Sequence, residues 1–512
     1  MRRGTSTVPV DGSTGSRNRA RSGGGRRAVV ALTGLALLAT ACGARVGPYL
    51  GADAGVGQSA SGATAGQGAT GAAGTGAGST GAAGSGAAAG ATAGAATRAS
   101  GAASPVAVPP PAAFSLDPRA EASACPSSAG NTASDTGVTT GSITFGNVSG
   151  LTGPLSNSFN QGSEGVEALF SAINAAGGIC GRKLNLSVED DGQNSSTNSS
   201  DIADLISKGV FAFVGSTSDA DNGGVPEMVQ ANTPDVGFAI NCNRTTAPTY
   251  WDPAGGSCDV QNGHYYVNNG IFKLAQSSGY LPSRMAFLSY NIAISAQAAQ
   301  QYANAYQQLG GTVCYSDYSI SPASPSLSSD VESMKSNSCG GVLTTVDVTG
   351  NAKLLQALAQ QSVHLGYVAT TFDGYTPAQI SATGQADAQG LIVSIPFIPL
   401  NENQSAVQLY QQELAAYEPG KSPSGFGFLS WEAAQMLVYA LIAGGHSPTR
   451  AGVVKTFHSL DGWTGGGALG PYTPGSTETS ACSVDVSVQG NAFVRKAPAS
   501  GMYCGGSLVQ VG

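Results

Sequence analysis

The chain has 512 residues, 11% of them charged and 41% hydrophobic, with 73 glycines, an average that fits no single packed domain. The glycine is local: positions 51–100 hold 15 Gly and 19 Ala, with Asp53 and Arg98 the only charges, and such a stretch cannot bury a core. Residues 1–41 carry seven Arg against one Asp, or +6, so a net charge of −8 hides −14 on the remainder, a sign that disfavours a nucleic-acid partner. About 395 residues remain from roughly Ser115 onward, too many for one core and enough for two lobes of about 200.

At the N-terminus, Arg17, Arg19, Arg21, Arg26 and Arg27 precede an apolar run from Ala28 to Ala41. Its fourteen residues make the core of a signal peptide and fall short of the about 20 that span a membrane. The run ends Leu37-Leu38-Ala39-Thr40-Ala41-Cys42-Gly43, which resembles the bacterial lipobox, where the cysteine receives diacylglycerol and becomes the first residue after cleavage. Ala39 departs from the leucine usual at that place, so an ordinary signal with an incidental cysteine is the alternative. Arg26-Arg27 leaves a twin-arginine export route open. Residues 1–41 are therefore expected to be a signal peptide and 42–115 a lipid-anchored, disordered Gly/Ala-rich linker with an r.m.s. span of roughly 45–50 Å. A low-complexity expansion of no selected length is the other reading of that tract.

Taking Cys42 for the lipid leaves eight of the nine cysteines, Cys125, Cys180, Cys242, Cys258, Cys314, Cys339, Cys482 and Cys504. An even set in an exported chain reads as disulfides, and nearest-neighbour pairing joins 125 with 180, 242 with 258, 314 with 339 and 482 with 504. There is no CxxC, and His264, His364, His446 and His458 are scattered, so no metal or other cofactor is expected.

The elements then alternate. Ile143 to Val148 is a β-rich run, followed by a turn-rich Ser149–Pro154 and a helix from about Gln161 with Val166, Leu169, Phe170 and Ile173 on one face. Leu184, Leu186 and Val188 alternate as a strand, a helix carries Ile202, Leu205 and Ile206, and Val210 to Val214 is a buried strand. The pattern resumes with strand Met285–Tyr290, a helix through Ala298, Tyr302 and Tyr306, and strands at Thr312–Tyr315 and Val342–Val348. A helix with Leu354, Leu355 and Leu358 leads to a strand over Tyr367–Phe372. Strand and helix in turn, twice over, predict an α/β fold of two doubly wound parallel-sheet lobes. Such sheets bind ligands beyond the carboxyl ends of their strands.

The string Ile143-Thr-Phe-Gly-Asn-Val-Ser-Gly-Leu-Thr-Gly-Pro-Leu155, then Ile173-Asn174-Ala175-Ala176-Gly177-Gly178-Ile179, Gly181-Arg182-Lys183-Leu184, Asp190-Asp191 and Leu205 through Gly215, resembles the type I periplasmic binding proteins. It is most similar to their branched-chain amino acid (leucine/isoleucine/valine-binding) branch, which serves ABC importers. The likeness runs from about 138 to 475. It implies two lobes joined by a hinge, lobe 1 from 116–265 and 397–470 and lobe 2 from 266–396 and 471–512, closing on a ligand between them. It further implies a monomer that hands its ligand to an ABC permease; with the lipobox-like run at Cys42, the expected contact with the membrane is through the lipid anchor only, on the outer face of a bacterial cell membrane.

A cleft for a zwitterion needs donors for a carboxylate, an acid for an ammonium and a wall for a side chain. Gly215-Ser216-Thr217-Ser218-Asp219 sits where the family places carboxylate contacts, which makes Ser216 and Ser218 candidates, with helix capping as the other use of the same atoms. Thr245 is the nearest hydroxyl in the second such segment, Asn241–Thr246. Asp373 stands at a strand end where the family carries the acid for the ammonium, and Tyr290 and Tyr375 are candidate walls. Two departures unsettle leucine-like specificity. Asp219 repels a neighbouring carboxylate unless turned away or paired, and Ile292-Ala293-Ile294 replaces an expected tyrosine. An amide, a polar or cationic amino acid, or another small solute stays open.

No catalytic constellation emerges from the sequence. Gly465–Gly470 is formally GxGxxG but leads into Pro471 rather than a helix, and Glu189-Asp190-Asp191 at a strand end point in different directions. The expected function is capture of a small polar ligand, amino acid or amide-like, for an ABC importer. A ligand-sensing receptor component of the same fold is the alternative, and an envelope hydrolase ranks last.

Overall fold

The computed structural model describes Cys125 and residues 127–254, 258–384, 390–474 and 480–512. The expected signal peptide, the linker and Cys42 lie outside the described residues.

The chain begins lobe 1 with β1 (Ser142–Ser149), whose Ile143, Phe145 and Val148 are buried. A short helix α1 (Ser156–Phe159) leads to α2 (Glu164–Ala175), which buries Val166, Leu169, Phe170 and Ile173 as the i, i+3, i+4, i+7 spacing requires. β2 (Lys183–Asp190) pairs in parallel with all of β1. Next come α3 (Ser195–Ser207), β3 (Phe213–Val214), α4 (Val225–Gln230), β4 (Asp235–Val236) and β5 (Tyr250–Trp251). The five strands form one parallel sheet in the order β2-β1-β3-β4-β5. β3 starts three residues later than the expected Val210–Val214: Phe211 N donates to Thr144 O and Gly146 N to Ala212 O, but strand pairing with β1 and β4 is confined to Phe213–Val214. Just beyond β3 and β4, Ser216 O and Phe238 O accept from Arg244 at 3.0 and 3.2 Å.

A hairpin of β6 (Cys258–Gln261) and β7 (His264–Asn268) and helix α5 (Gly270–Ser277) carry the chain across to lobe 2. The change-over expected between 265 and 266 thus falls inside β7, and Val267 packs in a cluster with Phe272, Phe287 and Tyr306. Lobe 2 runs β8 (Arg284–Tyr290), α6 (Ala293–Gln308), β9 (Thr312–Ile320), α7 (Ser328–Ser336), β10 (Gly341–Thr344), α8 (Val348–Gln360), β11 (Tyr367–Thr370), α9 (Pro377–Thr383) and β12 (Ile392–Ile395). β10 stops short of the expected Val348 because Asp347 caps α8, its side chain accepting from Gly350 N. β11 likewise gives way to a 3-10 turn over Phe372–Gly374.

The chain then returns to lobe 1 as α10 (Ser405–Tyr417), α11 (Gly425–Gly444) and α12 (Arg450–Ser459), with α10 and α11 packed on α2. α11 is long and apolar enough to cross a membrane by composition, yet it is buried within the lobe. Its close approach to α2 depends on Gly165, where a Cβ would stand 1.9 Å from Gly427 O. Finally β13 (Val484–Gln489) and β14 (Ala492–Ala497) add antiparallel to β12, and β15 (Leu508–Gln510) adds to β7. The second sheet reads β14-β13-β12-β11-β10-β8-β9, parallel from β9 through β12. Two of the segments that cross between lobes run side by side, with Phe397 bridging Leu469 and Ile398 N donating to Ala468 O at 2.8 Å. Disulfides join Cys125–Cys180, Cys242–Cys258, Cys314–Cys339 and Cys482–Cys504.

Candidate functional site

Every strand of a parallel sheet ends with its carbonyl edge free to open into a loop. In lobe 1 the loops after β1, β3 and β4 bring Leu155, Ser158, Phe159, Asp219, Phe238 and Ile240 to the cleft, and the start of α11 adds Phe426. In lobe 2 the segments after β8, β10 and β11 bring Ile294, Ser295, Thr345, Val346, Asp347, Thr371, Phe372 and Asp373, while α6 adds Ala298 and Tyr302. Together they enclose a cavity of about 120 Å³, near the roughly 150 Å³ that holds a benzene ring. A smaller one of about 60 Å³ shares Phe238, Tyr302, Thr371 and Phe372 with it and reaches Asn268, Ser394 and Ser483.

Aromatic rings from both lobes meet on this wall. Phe372 of lobe 2 lies 4.5 Å from Phe238 and 4.7 Å from Phe426 of lobe 1, both edge-on, and Phe159 lies 5.4 Å from Phe426. Such tilted pairs each contribute about 0.5–1.5 kcal/mol beyond area burial. The lobes are thus in contact around the cavity.

Of the residues singled out from the sequence, Asp373 lines this cavity and the other five do not. Ser216 Oγ accepts from Val148 N in β1 at 3.1 Å and Ser218 Oγ from Ala220 N in its own turn at 3.1 Å, so both buried hydroxyls hold backbone, though neither caps a helix: the next helix, α4, has Gly224 at its N-cap with no side-chain cap. The turn that carries them starts at Gly215, whose φ of +65° and whose approach to Ser430 Cβ at 2.8 Å admit no side chain. Thr245 Oγ1 donates to Cys242 O and accepts from Val260 N, which ties the 3-10 turn over Cys242–Thr246 to β6. The Tyr290 hydroxyl donates to Asp347 Oδ1, so the ring stands behind the wall and supports it. Tyr375 accepts from Leu400 N at 2.9 Å and lines a separate cavity beside α9 and β14.

Three acids line the cleft, and two of them escaped sequence reading as ligand groups. Asp347 is hidden as a helix cap, its Oδ1 also accepting from Gly350 N at 2.8 Å. A strand followed by Asp-x-x-Gly at a helix start is the signal that finds it. Asp219, noted in the sequence only as a carboxylate in the wrong place, faces the cavity, and its Oδ1 has no hydrogen-bond partner. Burial pushes Asp219 up to about 7, with Asp191 and Asp221 adding to the shift. Burial also pushes Asp373 up to about 6, against the Thr371 hydroxyl that donates to it and with Asp347 adding. Ser158 is 4% exposed, lines the cavity, and its Oγ has no partner.

Arg244, also missed, positions the lobe 1 wall from beneath. Its Nε and Nη2 bind Asp235 at 2.8 Å each, and its Nη1 meets Asp221 at 3.3 Å together with the two carbonyls already named. Asp221 in turn accepts from Ile240 N and Asn241 N at 2.8 and 2.9 Å. Against the desolvation that opposes it, the charges of Asp235 and Asp221 hold Arg244 above its ordinary value and fully protonated. The loops after β3 and β4 are therefore fixed to each other through one guanidinium.

A two-lobed α/β unit with a cavity closed by both lobes at their strand ends is the architecture of a binding protein, and residues 142–483 match the family model described as periplasmic binding protein. The chain belongs to that family. No curated protein gives a significant match to the sequence. Among solved structures, this binding protein is similar to a fatty acid ABC transporter substrate-binding protein from Thermomonospora curvata, with a TM-score of 0.58 and 15% identity over 72% of this chain and 94% of that one. It is similar to the branched-chain amino acid transporter substrate binding protein LivJ from Streptococcus pneumoniae in complex with isoleucine, with a TM-score of 0.57 and 14% identity over 72% and 99%. A leucine binding protein from Thermotoga maritima aligns with a TM-score of 0.55 and 15% identity over 69% and 97%. At such identities the likeness is one of fold. The family binds substrates rather than transforming them, and within the described residues the one cluster of metal-ligating type, Cys125, Cys180 and His446, has its two sulfurs joined as a disulfide.

Proposed function

We propose that this chain captures a small polar solute between its lobes, leaves it chemically unchanged, and delivers it to the permease of an ABC importer. It acts as a monomer outside the cytoplasm, held to the outer face of the cell membrane by a lipid on Cys42. The observation that supports this reading is the cavity built jointly by the strand ends of both lobes, with its own unpartnered Ser158 and Asp219 oxygens and crossing segments beside it.

The test is a thermal-shift panel of amino acids, amides, ureas, polyamines and sugars on the purified full chain. A solute at 100 times its dissociation constant stabilises by about 2.7 kcal/mol. No stabilisation by any small solute, with the protein shown to be folded, sinks the reading. The anchor is tested apart: Cys42→Ser is expected to release the protein into the medium, and retention in the membrane fraction contradicts lipidation.

A further inference from the structure

The charge on the cavity wall sorts the solutes that a two-lobed binder of this kind accepts. Asp219 comes from one lobe and Asp347 and Asp373 from the other, while no Lys, Arg or His is among the lining residues. Arg244, which braces the loops after β3 and β4, is 2% exposed at its side chain and bound to Asp235 and Asp221, so that cluster adds a net negative charge beneath the wall instead of neutralising it. Each side of the cleft is negative: Asp219 feels Asp191 and Asp221 of its own lobe, and Asp373 feels Asp347 and is felt by the Tyr302 hydroxyl. Against them stands the first turn of α6, which opens on the cavity at Ile294 and Ser295 with no side-chain cap and no acid. A helix N-terminus carries about half a positive charge, too little to outweigh three carboxylates. The Ser295 hydroxyl is already spent on Thr345 O at 2.6 Å.

Two further observations point to an occupant. Ser158 is 96% buried by its 4% exposure, faces the cavity and has no partner, so its oxygen is a polar atom awaiting one. The remaining wall is aromatic, with Phe159, Phe238, Phe372, Phe426 and Tyr302 lining the same space, and the face of an aromatic ring attracts a cation.

Resting on the binding-protein reading, we propose that the cleft takes an organic cation: an ammonium group held among Asp219, Asp347 and Asp373, an apolar body against the phenylalanines, and no free carboxylate or phosphate. The departure from an amino acid is at the carboxylate, which Asp219 opposes and for which the wall offers only the Ser158 hydroxyl and the first turn of α6 as donors.

Four compounds that share an isobutyl body and differ in their polar end test this on the full chain: 3-methylbutylamine, leucine, 4-methylpentanamide and 4-methylpentanoate. By calorimetric titration at pH 7.5 the amine is expected to bind at least tenfold more tightly than leucine, and the pentanoate to show no binding. D347N/D373N is expected to weaken the amine at least tenfold while the unliganded melt is kept, since Asn still caps α8; D219N alone, which touches neither a cap nor Tyr290, is the second variant and is expected to weaken it severalfold. Equal or tighter binding of leucine, the amide or the pentanoate overturns the cation assignment and leaves the binding-protein reading standing. Pentanoate affinity that rises as pH falls overturns it too, since the acids then act as proton donors. Failure of the amine while a sugar or another neutral solute stabilises the protein overturns the cation alone; failure of every solute tried overturns both.

Discussion

The aspartates beneath the cleft and those that face it are the same side chain in opposite circumstances. Asp221 and Asp235 share Arg244, and backbone N–H groups supply the rest of Asp221's contacts. Asp219 and Asp373 have no basic partner, one of them has an oxygen with no hydrogen bond, and both are pushed well above the usual carboxylate range by burial. A buried charge that the fold compensates serves structure; one left uncompensated beside a cavity is costly to the empty protein and available to a ligand. The difference separates the part of lobe 1 that must be rigid from the wall that recognises.

The largest effect expected from breaking this contrast is at Arg244. Arg244→Met leaves two buried acids without their cation and frees the Ser216 and Phe238 carbonyls, so it is expected to cost about 3–5 kcal/mol of unfolding free energy in a urea titration. A loss below about 1 kcal/mol would show that the cluster is not compensated as described. Next in size, D347N/D373N is expected to cost the cleft tenfold in amine affinity, about 1.4 kcal/mol, with the unliganded melt kept or raised, since burial also raises Asp373, to about 6. Asp219→Asn goes the other way for stability: removing an acid raised to about 7 is expected to stabilise the empty protein by about 1 kcal/mol at pH 8. Destabilisation of similar size would place Asp219 among the structural acids.

The pH dependence sharpens the same contrast with a smaller slope. Asp219 and Asp373 start from 3.8 in the unfolded chain and rise to about 7 and about 6 in the fold. Between these values the folded state binds more protons, so the stability that these two groups influence is greatest at the acid end and falls as pH rises from about 4 to 7. D219N is expected to flatten the upper part of that fall in melts recorded across the range, and an unchanged profile would contradict the assignment.

Much of the scaffold was legible because it is written in local periodicity. The stripe Val166, Leu169, Phe170, Ile173 becomes a buried helix face, the β-rich run Ile143–Val148 becomes β1, and the alternation at Leu184, Leu186 and Val188 becomes β2. The cleft itself follows from the rule that parallel strands bind at their carboxyl ends, and Asp373 at such an end was found through the resemblance to the binding-protein family, which carries an acid there. The rest depended on contacts that carry no period. Ser216 and Ser218 looked like ligand hydroxyls, but Ser216 Oγ accepts from Val148 N of β1 and Ser218 Oγ from Ala220 N of its own turn, so the fold uses both. Asp347 fell inside an apparent strand because Val346 and Val348 flank it, and only the start of α8 reveals it as a cap. Arg244 reaches Asp235 and Asp221 through a 3-10 turn, and the rings of Phe238, Phe372 and Phe426 meet from three distant parts of the chain.

The account rests most heavily on ionised cleft acids left for a cation, and one titration addresses it directly. 3-Methylbutylamine is titrated into the full chain and into D347N/D373N at pH 5 and at pH 8, where the amine keeps its charge and the acids change theirs. Affinity for the wild-type protein is expected to rise about tenfold or more from pH 5 to pH 8, and in the variant to be weaker with a smaller rise, since there only Asp219, raised to about 7, still titrates in the cleft. Binding that is independent of pH, or equally tight in the variant, contradicts the account.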